Sequence, residues 1–172
     1  MIWIFGYGSL VWRPDFEYAE RHRADLGGWS RRFWQASTDH RGVPERPGIV
    51  VTLVPDPEAV TVGVVYGLRP EVATPIMGAL DYRERGGYSR ESVDVTLADG
   101  RVVEALVYRG TAENPNYLGP APLADIAARI RGAVGPSGPN PEYVLKLHQA
   151  LLEMGAHDPH VAGIAALLGD EL

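Results

Sequence analysis

The sequence predicts an α+β fold built on a mostly antiparallel, curved sheet or small barrel. Two patterns carry this reading. The first two-thirds of the chain shows apolar runs and alternations of strand length, and the last third repeats apolar residues at helical spacing. Short turn signals join the strands, and strands followed by helices indicate α+β rather than alternating layers. With 172 residues, 45% of them hydrophobic, the chain can bury a sizeable core, and a single domain over 1–172 is expected.

The first element is Ile2-Trp3-Ile4-Phe5, which reads as a buried strand. Its place at the N-terminus is unusual, because chain ends fray. It runs into Gly6-Tyr7-Gly8-Ser9-Leu10. The two glycines allow close approach of the backbone and positive φ. Successive N–H groups in such a turn can nest an anion or a developing oxyanion. A plain glycine-rich turn fits the same letters.

Residues 32–36 read as a strand, and 49–54 as a fully buried one. A Pro55-Asp56-Pro57 turn then precedes a further strand over 60–66. A helix over about 70–82 interrupts the strands, its start blurred by Pro70 and Pro75. Residues 92–97 alternate, Ala98-Asp99-Gly100 signals a hairpin, and 102–108 returns from it.

Leu123, Ile126, Ala127 and Ile130 mark the next helix. Asn140-Pro141 reads as an N-cap with Pro at the first helical position, opening a helix through Met154. Asp158-Pro159 repeats the device for a short last helix carrying Val161, Ile164, Ala165 and Leu168. The loops at 38–48 and 110–122 are long for a compact domain, a mark of function more often than of idleness.

Composition removes several function classes. A net charge of -6 and a pI near 5.3 argue against a nucleic-acid partner. No apolar run approaches the roughly 20 residues that span a bilayer, so no membrane partner is expected. No basic segment precedes the short N-terminal apolar stretch, so a cytoplasmic protein is expected. Zero Cys removes a thiol nucleophile and thiolate metal sites. There is no phosphate loop and no complete Gly-x-Gly-x-x-Gly.

Ser9 stands in Tyr7-Gly8-Ser9-Leu10-Val11, not in Gly-x-Ser-x-Gly, and the five histidines form no recognisable base arrangement. A serine hydrolase is therefore a remote reading. His157-Asp158-Pro159-His160 reads as a helix cap rather than a metal site. Glu84 lies in Asp81-Tyr82-Arg83-Glu84-Arg85-Gly86-Gly87-Tyr88. There it falls at the C-terminal end of a helix, where the dipole opposes a carboxylate. Its Arg neighbours offer a solvated ion pair as the bland alternative. Placement against local preference, beside Gly-Gly-Tyr, makes it a candidate functional carboxylate.

Six stretches together resemble the ChaC-type γ-glutamylcyclotransferases. They are Phe5-Gly6-Tyr7-Gly8-Ser9-Leu10-Val11-Trp12; Arg31-Arg32-Phe33-Trp34-Gln35; Ser37-Thr38-Asp39-His40-Arg41-Gly42; Asp81-Tyr82-Arg83-Glu84 with Gly86-Gly87-Tyr88; Asn114-Pro115 with Tyr117-Leu118-Gly119-Pro120-Ala121-Pro122; and Gly135-Pro136-Ser137-Gly138. Each is weak alone, but six in family order are specific. They cover residues 3 to about 150, and the segment after Met154 matches poorly.

The resemblance implies a small mixed, mostly antiparallel β-barrel flanked by helices, with no metal and no organic cofactor. It implies glutathione as substrate and Glu84 as the catalytic glutamate. Ile4, Phe5, Gly6, Tyr7, Gly8, Ser9 and Leu10 match the substrate-binding loop and the strand leading into it. Where some relatives carry another acidic residue on the upstream helix, this chain has Val72-Ala73-Thr74-Pro75.

The implied reaction is attack of the substrate's α-amino group on its own γ-carbonyl, giving 5-oxoproline and Cys-Gly. Within it, Tyr7 and Tyr117 are candidates to wall the pocket, core positions being the alternative. Arg41 is a candidate to hold the glycine carboxylate, against the reading of a solvated loop arginine. Two other functions stay open: cyclisation of other γ-glutamyl amino acids or amines, and a non-catalytic γ-glutamyl-metabolite binding module. The sequence is silent on oligomeric state.

Overall fold

The structure, a computed structural model, describes residues 1–83 and 88–169. The chain divides into two compact units, Met1–Ser30 with Leu53–Pro115 and Arg31–Thr52 with Asn116–Leu172. Five strands close into a barrel: β1 (Ile2–Gly6), β2 (Glu20–Ser37), β3 (Gly48–Leu68), β4 (Tyr88–Leu97) and β5 (Val102–Gly110), in the order β1-β3-β2-β4-β5. The β1–β3, β2–β4 and β4–β5 pairs are antiparallel. β1 meets β5 in parallel, with Trp3 opposite Ala105 and Ile4 opposite Leu106. The expected mixed, mostly antiparallel barrel is therefore the fold. β2 and β3 are long enough to belong to both units.

The turn expected at Pro55-Asp56-Pro57 is absent, and β3 runs through it. Pro55 and Pro57 are exposed, as prolines in a sheet must be where no ladder N–H is needed. The Asp56 carboxylate accepts from Ser30 Oγ on β2 at 2.7 Å and from Glu58 N at 3.4 Å. β2 starts at Glu20, well before the expected 32–36; its first half buries only two apolar residues, Ala24 and Leu26, and so lacks an apolar run in the sequence. The β4–β5 hairpin forms as expected.

Helix α1 (Pro70–Arg83) begins at Pro70 and continues through Pro75. An internal Pro costs roughly 3 kcal/mol. Val72, Ala73, Ile76 and Leu80 offset that cost by packing on Ile4, Leu68 and Tyr108 of the barrel, together with Leu10 and Phe16. Each large apolar side chain so buried contributes roughly 1.5–3 kcal/mol.

In the second unit α2 (Leu123–Arg131), the short ribbon β6 (Val134–Gly135) and β7 (Gly138–Pro139), α3 (Asn140–Glu153) and α4 (Pro159–Leu168) follow in order. The three helices contact one another, burying Ile126, Ile130, Val144, Leu147, Val161, Ile164 and Leu168. Among the described residues, no helix is long and apolar enough to cross a membrane.

Asp158 caps α4 as expected, accepting from His160 N and Val161 N at 3.1 Å each. Asn140 does not cap α3. Its fully buried amide accepts from Ile49 N at 2.7 Å and donates to Ile49 O at 2.9 Å, pairing the start of β3 as a neighbouring strand would. Buried main-chain groups must find partners, and this side chain satisfies two of them.

His160 does the same for β2, its Nε2 accepting from Phe33 N at 2.9 Å while its ring stacks on Phe33. Only the neutral ring can accept. Burial, aided by Arg32 and Arg31 against an opposing Asp158, pushes its pKa down to about 4. The unfolded ring, with a pKa near 6.5, takes up a proton that the folded ring refuses, so stability is lost as pH falls from about 6.5 towards 4. The loss attributable to His160 is on the order of 2–3 kcal/mol. In His160→Gln, whose amide oxygen still accepts, the pH dependence of stability over this window should flatten by about one proton relative to wild type. Denaturant titrations at several pH values check this; parallel profiles would remove His160 as the cause.

Candidate active site

β1 ends at Gly6, where the chain turns sharply into a single 3-10 turn over Ser9–Val11. Val11 N donates to Gly8 O, while Trp12 N and Arg13 N donate to Ser9 O. A Cβ on Gly6 would stand 2.6 Å from Leu10 Cβ, and one on Gly63, the β3 residue alongside, would stand 2.3 Å from Gly6 O. The glycines therefore serve close approach. Positive φ, expected of this loop, is not found at Gly6 or Gly8, the latter lying at φ −121°.

The strands on either side of β1 hold the loop through two tyrosine hydroxyls. Tyr66, opposite Ile4 on β3, donates its hydroxyl to Leu10 O at 2.6 Å. Tyr7 is itself buried and donates its hydroxyl to Tyr108 O on β5 at 2.5 Å. Ile4 and Phe5 are fully buried beneath, and Gly8, Ser9 and Leu10 are half-buried. The stretch Ile4 to Leu10 is thus the end of β1 and a turn held at Tyr7 and Leu10 by hydrogen bonds.

The same part of the first unit carries a polar network that the sequence reading did not single out. The Tyr108 hydroxyl donates to Asp81 Oδ1 at 2.6 Å, and Arg90 Nη1 pairs with Asp81 Oδ2 at 2.9 Å. Burial, with the hydrogen bond to Asp81, pushes the Tyr108 phenol up to about 12. Asp81 stood in the quoted helix-end motif. Tyr66 and Tyr108 read only as the ends of apolar strand runs, a pattern that hides their hydroxyls. Glu84, the candidate proton acceptor, lies outside the described residues, as do Arg85, Gly86 and Gly87.

Arg41 and Tyr117 belong to the second unit. Arg41 is 3% exposed, which overturns the solvated-loop reading. Its Nη1 donates to Pro139 O at 3.0 Å and to Glu142 Oε1 at 3.3 Å, and the guanidinium lies over the Tyr143 ring. That hydrogen bond holds the Glu142 carboxyl below its ordinary value. Tyr117 is half-buried and bridges Gln35, extending a strand-like pairing in which Ala36 N donates to Asn116 O and Leu118 N to Trp34 O. Among the described residues, no group of three or more His, Asp or Glu side chains is placed to hold a metal ion.

A family model described as "ChaC-like protein" matches residues 2–170, including the segment after Met154 that the motifs left out. The human glutathione-specific gamma-glutamylcyclotransferase 1 is 44% identical over 99% of this chain and 80% of its own length. The glutathione-specific gamma-glutamylcyclotransferase of Saccharomyces cerevisiae is 37% identical over 89% of this chain and 86% of its own. A crystal structure of the yeast gamma-glutamyl cyclotransferase specific to glutathione superposes with a TM-score of 0.93 at 34% identity, covering 98% of this chain and 96% of that one.

Proposed function

The chain belongs to the ChaC-like protein family, and we propose that it cyclises the γ-glutamyl arm of glutathione, releasing 5-oxoproline and Cys-Gly. The observation that carries this reading is the near-full-length likeness to relatives named for that specificity. A cytoplasmic setting, where glutathione keeps thiols reduced, suits the same assignment.

The substrate supplies its own nucleophile, so a chain without Cys and without a serine triad lacks nothing. The α-ammonium gives up a proton, since it is largely protonated near neutral pH. The amine then attacks the γ-carbonyl, a carbon–nitrogen bond closes the five-membered lactam, and the bond to the cysteine nitrogen breaks as that nitrogen takes a proton. No water is consumed. We assign the proton acceptor and donor to Glu84 on its sequence motif.

The pinned turn at Gly8, Ser9 and Leu10 offers its amides to the oxyanion or the α-carboxylate. Its rigidity suits the positioning that such a closure needs. Tyr7, tied to Tyr108 O, and Tyr117 are the proposed walls. A glycine carboxylate that engages Arg41 has to share it with Glu142, which already accepts from it. The deciding experiment is incubation with glutathione, reading 5-oxoproline and Cys-Gly together. Turnover of γ-glutamyl amino acids or amines without glutathione would shift the substrate, and no turnover of either would leave only a binding module.

Glu84→Gln should fold and lose about 10²–10⁴-fold in kcat, the usual worth of a general acid–base group. An active variant within about threefold of wild type would take Glu84 out of the reaction.

Prolonged treatment with EDTA should leave turnover unchanged, because every step above is served by amides and a carboxylate. Loss of activity that a divalent ion restores would require a metal-assisted route.

Gly6→Ala should be severe and Ser9→Ala mild. The added Cβ meets Leu10 Cβ at 2.6 Å, so the turn must shift, and a misplacement approaching 1 Å can cost about 10²-fold. Ser9→Ala keeps the amide and should stay within about threefold. Steady-state kinetics on cooperatively melting variants decide it; a dead Ser9→Ala beside an active Gly6→Ala would transfer the chemistry from main chain to hydroxyl.

A further inference from the structure

Tyr108 takes part in two hydrogen bonds that face different elements. Its carbonyl oxygen accepts from the Tyr7 hydroxyl of the loop, and its own hydroxyl donates to Asp81 Oδ1 in the last turn of α1. Arg90, on β4, closes on Asp81 from a third element at 2.9 Å. Tyr7, Tyr108, Asp81 and Arg90 therefore form one continuous chain of contacts joining the loop, β5, α1 and β4, all within the first unit. Arg90 and Asp81 are 43% and 47% exposed, and an ion pair in that setting contributes little alone. The Tyr108–Asp81 bond is different. Tyr108 is 8% exposed and part of the apolar cluster with Ile4, Leu68, Ala73 and Leu80, so its hydroxyl is delivered to Asp81 from a packed ring.

The ring stays protonated through the neutral range, its phenol pushed up to about 12, and so remains a donor. The bond fixes the rotation of the last turn of α1, and Glu84 follows Asp81 three residues later in the chain. We propose that Tyr108 and Asp81 are positioning residues for the cyclisation, holding the end of α1 in register with the Tyr7 loop. This rests on the function proposed above. Neither residue needs to touch the substrate.

The test uses Tyr108→Phe, Asp81→Ala, Asp81→Asn and the Tyr108→Phe/Asp81→Ala double variant in the full chain. Tyr108→Phe keeps the ring and the carbonyl oxygen, so it removes only what the hydroxyl makes, the bond to Asp81 and the contact with Arg90. It and Asp81→Ala should each lower kcat by about tenfold or more, with KM within about threefold. Asp81→Asn retains an acceptor for the Tyr108 hydroxyl and should recover most of the loss. The double variant should be no worse than the poorer single, since both remove the same bond. Losses that multiply in the double variant, unchanged kcat in both singles, or a change confined to KM would overturn the proposal.

A readout that needs no turnover separates this from the function itself. Amide hydrogen exchange in residues 79–83 and at Tyr7 should quicken by about tenfold in Tyr108→Phe and not in Asp81→Asn. If wild type fails to turn over glutathione, the function falls. The tether then stands or falls on exchange alone, and unchanged exchange in Tyr108→Phe overturns it.

Discussion

The five residues of β1 are held on both edges, antiparallel to β3 along their whole length and parallel to β5 at Trp3 and Ile4. This insertion closes the barrel. A closed sheet has no free edge, and its strands lose the freedom to slip register. For a strand of five residues, that double pairing holds both edges in register. It also fixes where Gly6 lies, and so where the loop begins. Helix α1 depends on the same strand, because Ile4 is part of the surface on which Ala73 and Leu80 pack.

The loop is then tied from the two strands that hold β1. Tyr66 of β3 reaches Leu10 O, and Tyr108 of β5 receives the Tyr7 hydroxyl. Each tie is a neutral hydrogen bond of modest net worth, about 1 kcal/mol. Their effect is geometric more than energetic, since two anchored points and a glycine packed on Leu10 leave the intervening turn little freedom. The amide role proposed for this turn would need this kind of restraint, because an amide cannot be re-aimed by choosing another rotamer.

Much of this was legible in the sequence and some was not, for identifiable reasons. The glycines around Tyr7, the apolar first strand, the 98–100 hairpin and the Asp158 cap follow local rules, and the structure has each of them. Asn140 and Pro55-Asp56-Pro57 obey the same local rules on paper and break them in the fold. In both cases a tertiary partner enters: Ile49 takes the Asn140 amide, and Ser30 shares the Asp56 carboxylate with the local Glu58 N. The first half of β2 escaped notice because its polar residues mask a strand whose buried face is only Ala24 and Leu26. Within the candidate site, glycine spacing exposed the loop, whereas the hydroxyls of Tyr66 and Tyr108 were hidden inside apolar runs. A tyrosine in a strand pattern counts as bulk until its partner is known.

The reaction assigned to this chain explains why the site is built from such partners. When the attacking nitrogen and the carbonyl belong to one molecule, the protein need not supply a nucleophile, and the barrier is lowered by folding the substrate arm and moving protons. On the proposed assignment, both tasks would fall to a carboxylate and a set of amides. A flexible reactive side chain would add nothing to them, whereas, on the proposal above, a displaced helix end would lower the rate. Investment in a closed barrel, a packed helix and tyrosine ties, in place of an activated Cys or Ser, is the form of catalyst that an intramolecular aminolysis calls for.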